Sequence, residues 1–237
     1  LTYGTHPRRV HFFNPEAEAA YQWLEKALPG NAISFVSFSG DNKLAVIFAD
    51  NNRNPGVFCL ANLQTKKVTV LSSGYPTIHP SKTAPVKFFD FTSSDGLTLT
   101  GLVTLPPAVA KPPLVVLTGD SLTSATLGED FDFLAQFFAS RGFAVARINH
   151  RGTQGFGRDF ARKGNFQLAK GMVEDVAGGM AYLRQQGWVD TERVAIVGEE
   201  FGGLLAFQIA GQLAGKCALV NIKTPSEPHW LALVSGI

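Results

Sequence analysis

Apolar positions along the chain change their spacing twice, and each change marks a different kind of element. Residues 15–28 carry Ala17, Ala20, Tyr21, Leu24 and Leu28 at three- and four-residue intervals, which predicts an amphipathic helix stopped by Pro29-Gly30. Four short apolar runs of strand length follow, at 33–38, 44–48, 57–60 and 68–71. Ser39-Gly40-Asp41-Asn42, residues 51–56 and residues 62–67 separate them, and all three separators are rich in turn formers. From residue 86 the pattern shifts. The runs 86–92 and 97–105 flank Ser94-Asp95-Gly96, a hairpin signal. Pro112-Pro113 leads into 114–117, a continuous apolar run of the kind that a strand covered on both faces shows. Then come a predicted helix at 130–140, a strand at 144–148 and a glycine-rich loop at 151–165. A helix at 172–186, a strand at 194–197, a helix from Gly203 and an apolar run at 218–222 complete the series. Strand and helix alternate, which predicts a mostly parallel sheet with helices on both faces.

The shift divides the chain into two regions, 1–84 and 85–237. Four strands joined by tight turns suit one blade of a β-propeller, and one blade buries both of its faces only between neighbours. A small four-stranded sheet packed on the following domain fits the same pattern, and the pattern alone does not separate the two. Composition adds few constraints. The apolar fraction of 45% supplies an ordinary core. Net charge is +2, and the basic pairs Arg8-Arg9 and Lys66-Lys67 are isolated, so no nucleic-acid footprint is expected. Cys59 and Cys217 form neither a disulfide framework nor a metal-ligand spacing, and the five histidines are scattered. The expectation is therefore no metal site and no cofactor. No apolar stretch reaches bilayer length and no secretory signal precedes the first element, so no membrane partner is expected either. The expected compartment is the cytoplasm, with the periplasm as the alternative. The chain opens at Leu1 rather than at a methionine, which suggests sequence upstream.

The chemistry concentrates after residue 193. Val194-Ala195-Ile196-Val197 runs directly into Gly198-Glu199-Glu200-Phe201-Gly202-Gly203 and then into a helix. This is the strand–turn–helix setting of a nucleophile elbow, G-x-S-x-G, in which a sharp turn lifts one side chain above a sheet. The glycines let strand and helix backbones approach closely around a central residue held in strained dihedrals. Here that central residue is Glu200.

From Phe88 onward the chain resembles the prolyl oligopeptidase family, in its acylaminoacyl-peptidase and dipeptidyl-peptidase-like branch. The matching residues are Phe91-Thr92-Ser93-Ser94-Asp95-Gly96-Leu97-Thr98 and Phe138-Ala139-Ser140-Arg141-Gly142-Phe143-Ala144-Val145. They continue through Asn149-His150-Arg151-Gly152-Thr153-Gln154-Gly155-Phe156-Gly157-Arg158, Glu174-Asp175-Val176 and the stretch from Val189 into the elbow. The resemblance implies an α/β-hydrolase fold, incomplete here, preceded by a segment similar to the last propeller blade of such enzymes. It also implies a serine-type peptidase that cleaves short peptides, gated by the propeller. A peptide substrate or ligand is the expected partner, and a homo-oligomer is admitted.

The departures from that pattern fall on the chemistry. Glu200 stands at the nucleophile position. The family's His-Gly-Gly-Pro loop is here Thr118-Gly119-Asp120-Ser121, so the resemblance puts Phe201, Gly119 and Asp120 at the oxyanion-hole positions. The family's triad order is Ser, Asp, His. After Glu200 there is no aspartate, and His229, beside Glu227, is the sole histidine, so the triad is expected to be incomplete in this chain. Losing a triad nucleophile typically lowers kcat by about 10⁶. A carboxylate about 4 Å from a developing oxyanion opposes it by roughly 4 kcal/mol at an effective dielectric of 20. Burial would instead favour a neutral carboxyl, which is no substitute for a hydroxyl nucleophile. The expectation is a peptidase homologue whose serine chemistry is lost, with a pseudopeptidase that binds peptides or a partner through the old cleft as one alternative.

Two other chemistries compete. Gly119-Asp120-Ser121-Leu122 spells the GDSL signature of an esterase class, with Ser121 as an alternative nucleophile. Some α/β-hydrolases attack with an elbow aspartate, but glutamate's extra methylene displaces the attacking oxygen by about an ångström, and rate depends on that geometry. His150, Arg151 and Arg158 border the cleft in the family and could hold a carboxylate; pairing of Arg151 with a buried acid such as Asp175 is the simpler expectation. The sheet is also expected to end on an open edge, which would make the chain prone to aggregation.

Overall fold

After a two-residue antiparallel ladder of β1 (Thr2–Tyr3) and β2 (Arg9–Val10), Asn14 caps helix α1 (Pro15–Ala27). Its side chain accepts the N–H of Glu16 at 2.8 Å and of Ala17 at 3.4 Å, two donors that the helix itself leaves unused. The computed structural model describes residues 2–3, 9–119, 128, 130–212 and 217–223. The chain divides into two units, one of residues 1–83 with 127–133 and one of residues 84–126 with 134–237.

In the first unit, β3 (Ala32–Phe38), β4 (Leu44–Asn51), β5 (Asn54–Asn62) and β6 (Lys67–Ser73) form an antiparallel sheet in chain order. The register pairs Ala45 with Ala61 and Ile47 with Cys59. These four side chains share a face with Ile33 and Ala49, and α1 closes that face through Leu24. Val46, Leu60, Phe48 and Phe58 point the other way and stay half-buried, with the two phenylalanine rings 4.7 Å apart. The β4–β5 turn is tighter than the predicted separator at 51–56. Asn51 Oδ1 accepts the N–H groups of Arg53 and Asn54 at 2.9 and 2.8 Å, which closes the loop in two residues.

The second unit is built on a six-stranded mixed sheet. Its strands are β7 (Val86–Thr92), β8 (Thr98–Thr104), β9 (Pro113–Thr118), β10 (Ala144–Asn149), β11 (Asp190–Glu199) and β12 (Cys217–Lys223), in the order β12-β11-β9-β10-β8-β7. Pairings among β12, β11, β9 and β10 are parallel, and those of β8 with β10 and with β7 are antiparallel. The continuous apolar runs are explained by burial on both faces. Along β9, Leu114 and Val116 enter one core, with α4 (Gly171–Gln185) and α5 (Glu200–Gln212). Val115 and Leu117 enter the other, with Ala135 of α2 (Phe133–Ala139). β11 divides its side chains the same way, Ile196 to the first core and Val197 to the second.

Four elements differ from the sequence expectation. Helix α2 begins at Phe133 rather than 130 because the residues before it pack with the first unit: Phe131 N–H donates to Asp50 at 2.9 Å, and Tyr75 stacks on Phe133 at 5.4 Å. The predicted loop at 151–165 contains a short helix, α3 (Arg158–Arg162). Strand β11 starts at Asp190 rather than Val194, through a register shift against β9, and α5 starts at Glu200 rather than Gly203.

Candidate active site at the elbow

Glu200 has a φ of 50°, in the left-handed region that side chains other than glycine rarely adopt. It opens α5 directly after β11 ends at Glu199, so strand passes into helix through a left-handed glutamate. The turn is shaped by close packing on either side. A Cβ on Gly202 would collide with the Gly119 carbonyl and come within 2.7 Å of the Thr118 carbonyl oxygen. A Cβ on Gly198 would collide with the backbone of Gly202. Thr118, which pairs with Gly198 at the end of β9, adds a clamp that sequence reasoning missed. Its hydroxyl lies 2.7 Å from the Gly202 carbonyl and 3.2 Å from the Val197 carbonyl. The only signal for it was a threonine ending an apolar strand.

The αL conformation costs an ordinary residue about 1–2 kcal/mol. A carboxylate at a helix N-terminus recovers about 0.3–1 kcal/mol from the helix dipole, so glutamate offsets part of the strain of its position. Glu199 and Glu200 are both exposed. Phe201 follows in the first turn of α5 with its ring buried in the core. Of the loop assigned to the oxyanion hole, Thr118 and Gly119 lie against the elbow, while Asp120 and Ser121 fall outside the described residues, as do Glu227 and His229. Among the described residues, no group of three or more His, Cys, Asp or Glu side chains converges as metal ligands would, and no helix is long and apolar enough to cross a membrane.

Two strands away, the residues after β10 are committed to structure. Arg151 gives Nη2 to Asp175 Oδ1 at 2.7 Å and Nε to Asp175 Oδ2 at 2.9 Å, and its backbone N–H also donates to Oδ2 at 2.8 Å. The far edge of the guanidinium binds both Asp95 oxygens, at 2.8 and 3.0 Å. Asp175 is fully buried, whereas Asp95 is about half exposed. The bonds from Arg151, then Ser93, hold the Asp95 carboxyl well below the usual carboxylate range, and Asp175, then Asp95, raises the Arg151 guanidinium further still. Arg151 is thus paired as the simpler expectation had it, and does not face a ligand. His150 is buried, and its Nδ1 lies 2.8 Å from the Arg151 carbonyl, which can only accept, so Nδ1 carries the proton. Burial pushes this imidazole below the usual histidine range. Arg158 stays exposed on α3.

Residues 129–218 match the model of the prolyl oligopeptidase family. Dipeptidyl aminopeptidase BIII of Pseudoxanthomonas mexicana is 27% identical over 237 residues, which cover 92% of this chain and 34% of that protein. Dipeptidyl peptidase family member 6 of Caenorhabditis elegans is 22% identical, over 89% of this chain and 33% of its own length. Among solved structures, puromycin hydrolase superposes with a TM-score of 0.64 at 25% identity, covering 76% of this chain and 28% of that one. The acylaminoacyl peptidase of Pyrococcus horikoshii, at 22% identity and a TM-score of 0.62 over 77% of this chain and 29% of its own, is similar in fold. The chain spans about a third of the length of these curated relatives. The second unit has the α/β-hydrolase fold that these peptidases share, and it is over residues 129–218 that the chain resembles the prolyl oligopeptidase family.

Proposed function

We propose that this chain comes from a prolyl oligopeptidase homologue that no longer cleaves peptides by serine chemistry and instead binds them in the inherited cleft. The observation that carries this reading is Glu200 in the elbow conformation, at a φ of 50°, where the fold keeps its attacking hydroxyl. An exposed carboxylate there presents charge to the site where a tetrahedral intermediate would develop its own, a repulsion of roughly 4 kcal/mol at about 4 Å. The close packing of Gly198 and Gly202 and the Thr118 clamp around it support this reading. Relatives named for dipeptide release and for hydrolysis of puromycin, which carries an amino-acid amide, support a peptide-like ligand. In this reading the first unit is a terminal propeller blade. Its support is a sheet that is apolar on both faces, one closed by α1 and the other lined by Val46, Leu60, Phe48 and Phe58.

Turnover of dipeptide p-nitroanilides by the full protein tests the proposal. We expect no hydrolysis above the enzyme-free rate, a deficit of about 10⁶ relative to an intact triad, together with saturable binding of the same peptides by calorimetry. Multiple turnovers that persist in Glu200→Gln would refute the loss of catalysis, because they would require a nucleophile elsewhere.

A further inference from the structure

Most of the chain's excess positive charge sits in one short stretch of the second unit. Between Arg158 and Lys170 stand four cations, Arg158, Arg162, Lys163 and Lys170, against one acid, Asp159, a local net of +3 in a chain whose total is +2. All four cations are exposed. Unlike Arg151, none of them makes an ion pair or side-chain hydrogen bond among the described residues. Arg158 and Arg162 lie one turn apart on α3 and so share a face. Within the same stretch, Phe166 is 88% exposed, with a φ of 58°.

This stretch is firmly held. Ala161 N–H donates to Gly157 at 3.1 Å, Asn165 N–H to Arg162 at 3.1 Å, Gln167 N–H to Gly164 at 3.1 Å, and Met172 N–H to Gln167 at 3.0 Å. Gly164 also lies so close to Gly152 that a Cβ on either would meet the other's backbone. An aromatic ring in the left-handed region costs about 1–2 kcal/mol, and this hydrogen-bonded backbone holds it there, turned outward among unpaired cations.

We propose that residues 158–170 form a docking surface for an acidic peptide, whose carboxylates meet Arg158, Arg162, Lys163 and Lys170 while an apolar side chain covers Phe166. Arginine and aromatic residues are the ones that protein interfaces concentrate, and a preformed backbone lowers the ordering cost of binding. One ring and a single turn of helix match a short peptide better than a nucleic-acid strand, whose binders track a backbone with a long groove and several stacking rings. The proposal does not depend on whether Glu200 leaves the cleft inert.

The test is fluorescence anisotropy of the full chain with a fluorescein-labelled peptide of alternating glutamate and leucine. Binding is expected, falling as salt is raised from about 50 to about 200 mM. The Arg158→Glu/Arg162→Glu pair should weaken it by about tenfold or more, and Phe166→Ala should weaken it without changing the salt dependence. Both α3 positions are exposed, so an unchanged melting curve separates lost contacts from lost fold, and Arg158→Gln/Arg162→Gln serves if charge reversal lowers the melt. The proposal fails if the acidic peptide does not bind, if the paired substitutions leave binding intact, or if a lysine–leucine peptide binds as well. Tighter binding of a single-stranded oligonucleotide through the same residues would overturn it in favour of a nucleic-acid surface.

Discussion

Gly202→Ala abolishes folding of the second unit or destabilises it by about 4 kcal/mol or more, although alanine is the better helix former by about 1 kcal/mol. The two effects oppose each other, and geometry decides between them. The added methyl would have to occupy the space of the Gly119 carbonyl, with the Thr118 carbonyl oxygen 2.7 Å away. Both neighbours are backbone at the end of β9, a strand paired on both sides within the sheet, so neither can swing aside as a side chain would. Gly211, near the other end of α5, supplies the contrast, because nothing among the described residues lies within 4 Å of a Cβ there. Gly211→Ala should therefore be neutral or stabilise by up to about 1 kcal/mol. Urea unfolding followed by circular dichroism measures both. Similar midpoints for the two variants would mean that β9 and α5 do not approach as closely as described.

Arg151→Met should cost about 3–5 kcal/mol, because it leaves the fully buried Asp175 carboxylate with its charge uncompensated and only backbone donation from residue 151. The methionine keeps most of the side-chain volume, so the loss reports charge rather than a cavity. Asp95→Asn removes the other acid on the same guanidinium and should have a far smaller effect, since that carboxylate is about half exposed. The sign of its pH dependence follows from the lowered Asp95 pKa: its contribution is present above the unfolded-state value and is lost as pH falls. Arg151→Met combined with Asp175→Leu should recover most of the lost stability, because a buried ion pair replaced by apolar groups is often neutral. Unfolding midpoints of the three variants check the ranking. An Arg151→Met midpoint equal to that of Asp95→Asn would remove the buried pair as a structural anchor.

Much of the fold was legible in the apolar pattern because burial on both faces leaves continuous runs such as 114–117, while turn formers between the strands of the first unit mark where each one ends. The boundaries that shifted did so where tertiary contacts override local signals. Residues 127–133 belong with Asp50 and Tyr75 rather than with the helix that follows, a pairing 81 residues apart for Phe131 that no local window contains. Helix α3 is five residues long, too short to display a period among the glycines around it. At the site, the glycine spacing and Glu200 were readable because only glycine fits where strand and helix touch. Thr118 was not, because its hydroxyl bridges carbonyls 79 and 84 residues away. The unpaired state of the cations from Arg158 to Lys170 was also hidden: Asp175 was a readable partner for Arg151, but nothing local told whether Arg158 had one.

The proposed loss of serine chemistry requires that the elbow survive without its nucleophile. Fluorophosphonate labelling of the full-length protein, with the modified residue mapped by mass spectrometry, tests it directly beside Glu200→Ser. An unlabelled parent and a label at position 200 of the Glu200→Ser variant are expected. A parent labelled at Ser121, or a Glu200→Ser variant that does not react, would contradict it.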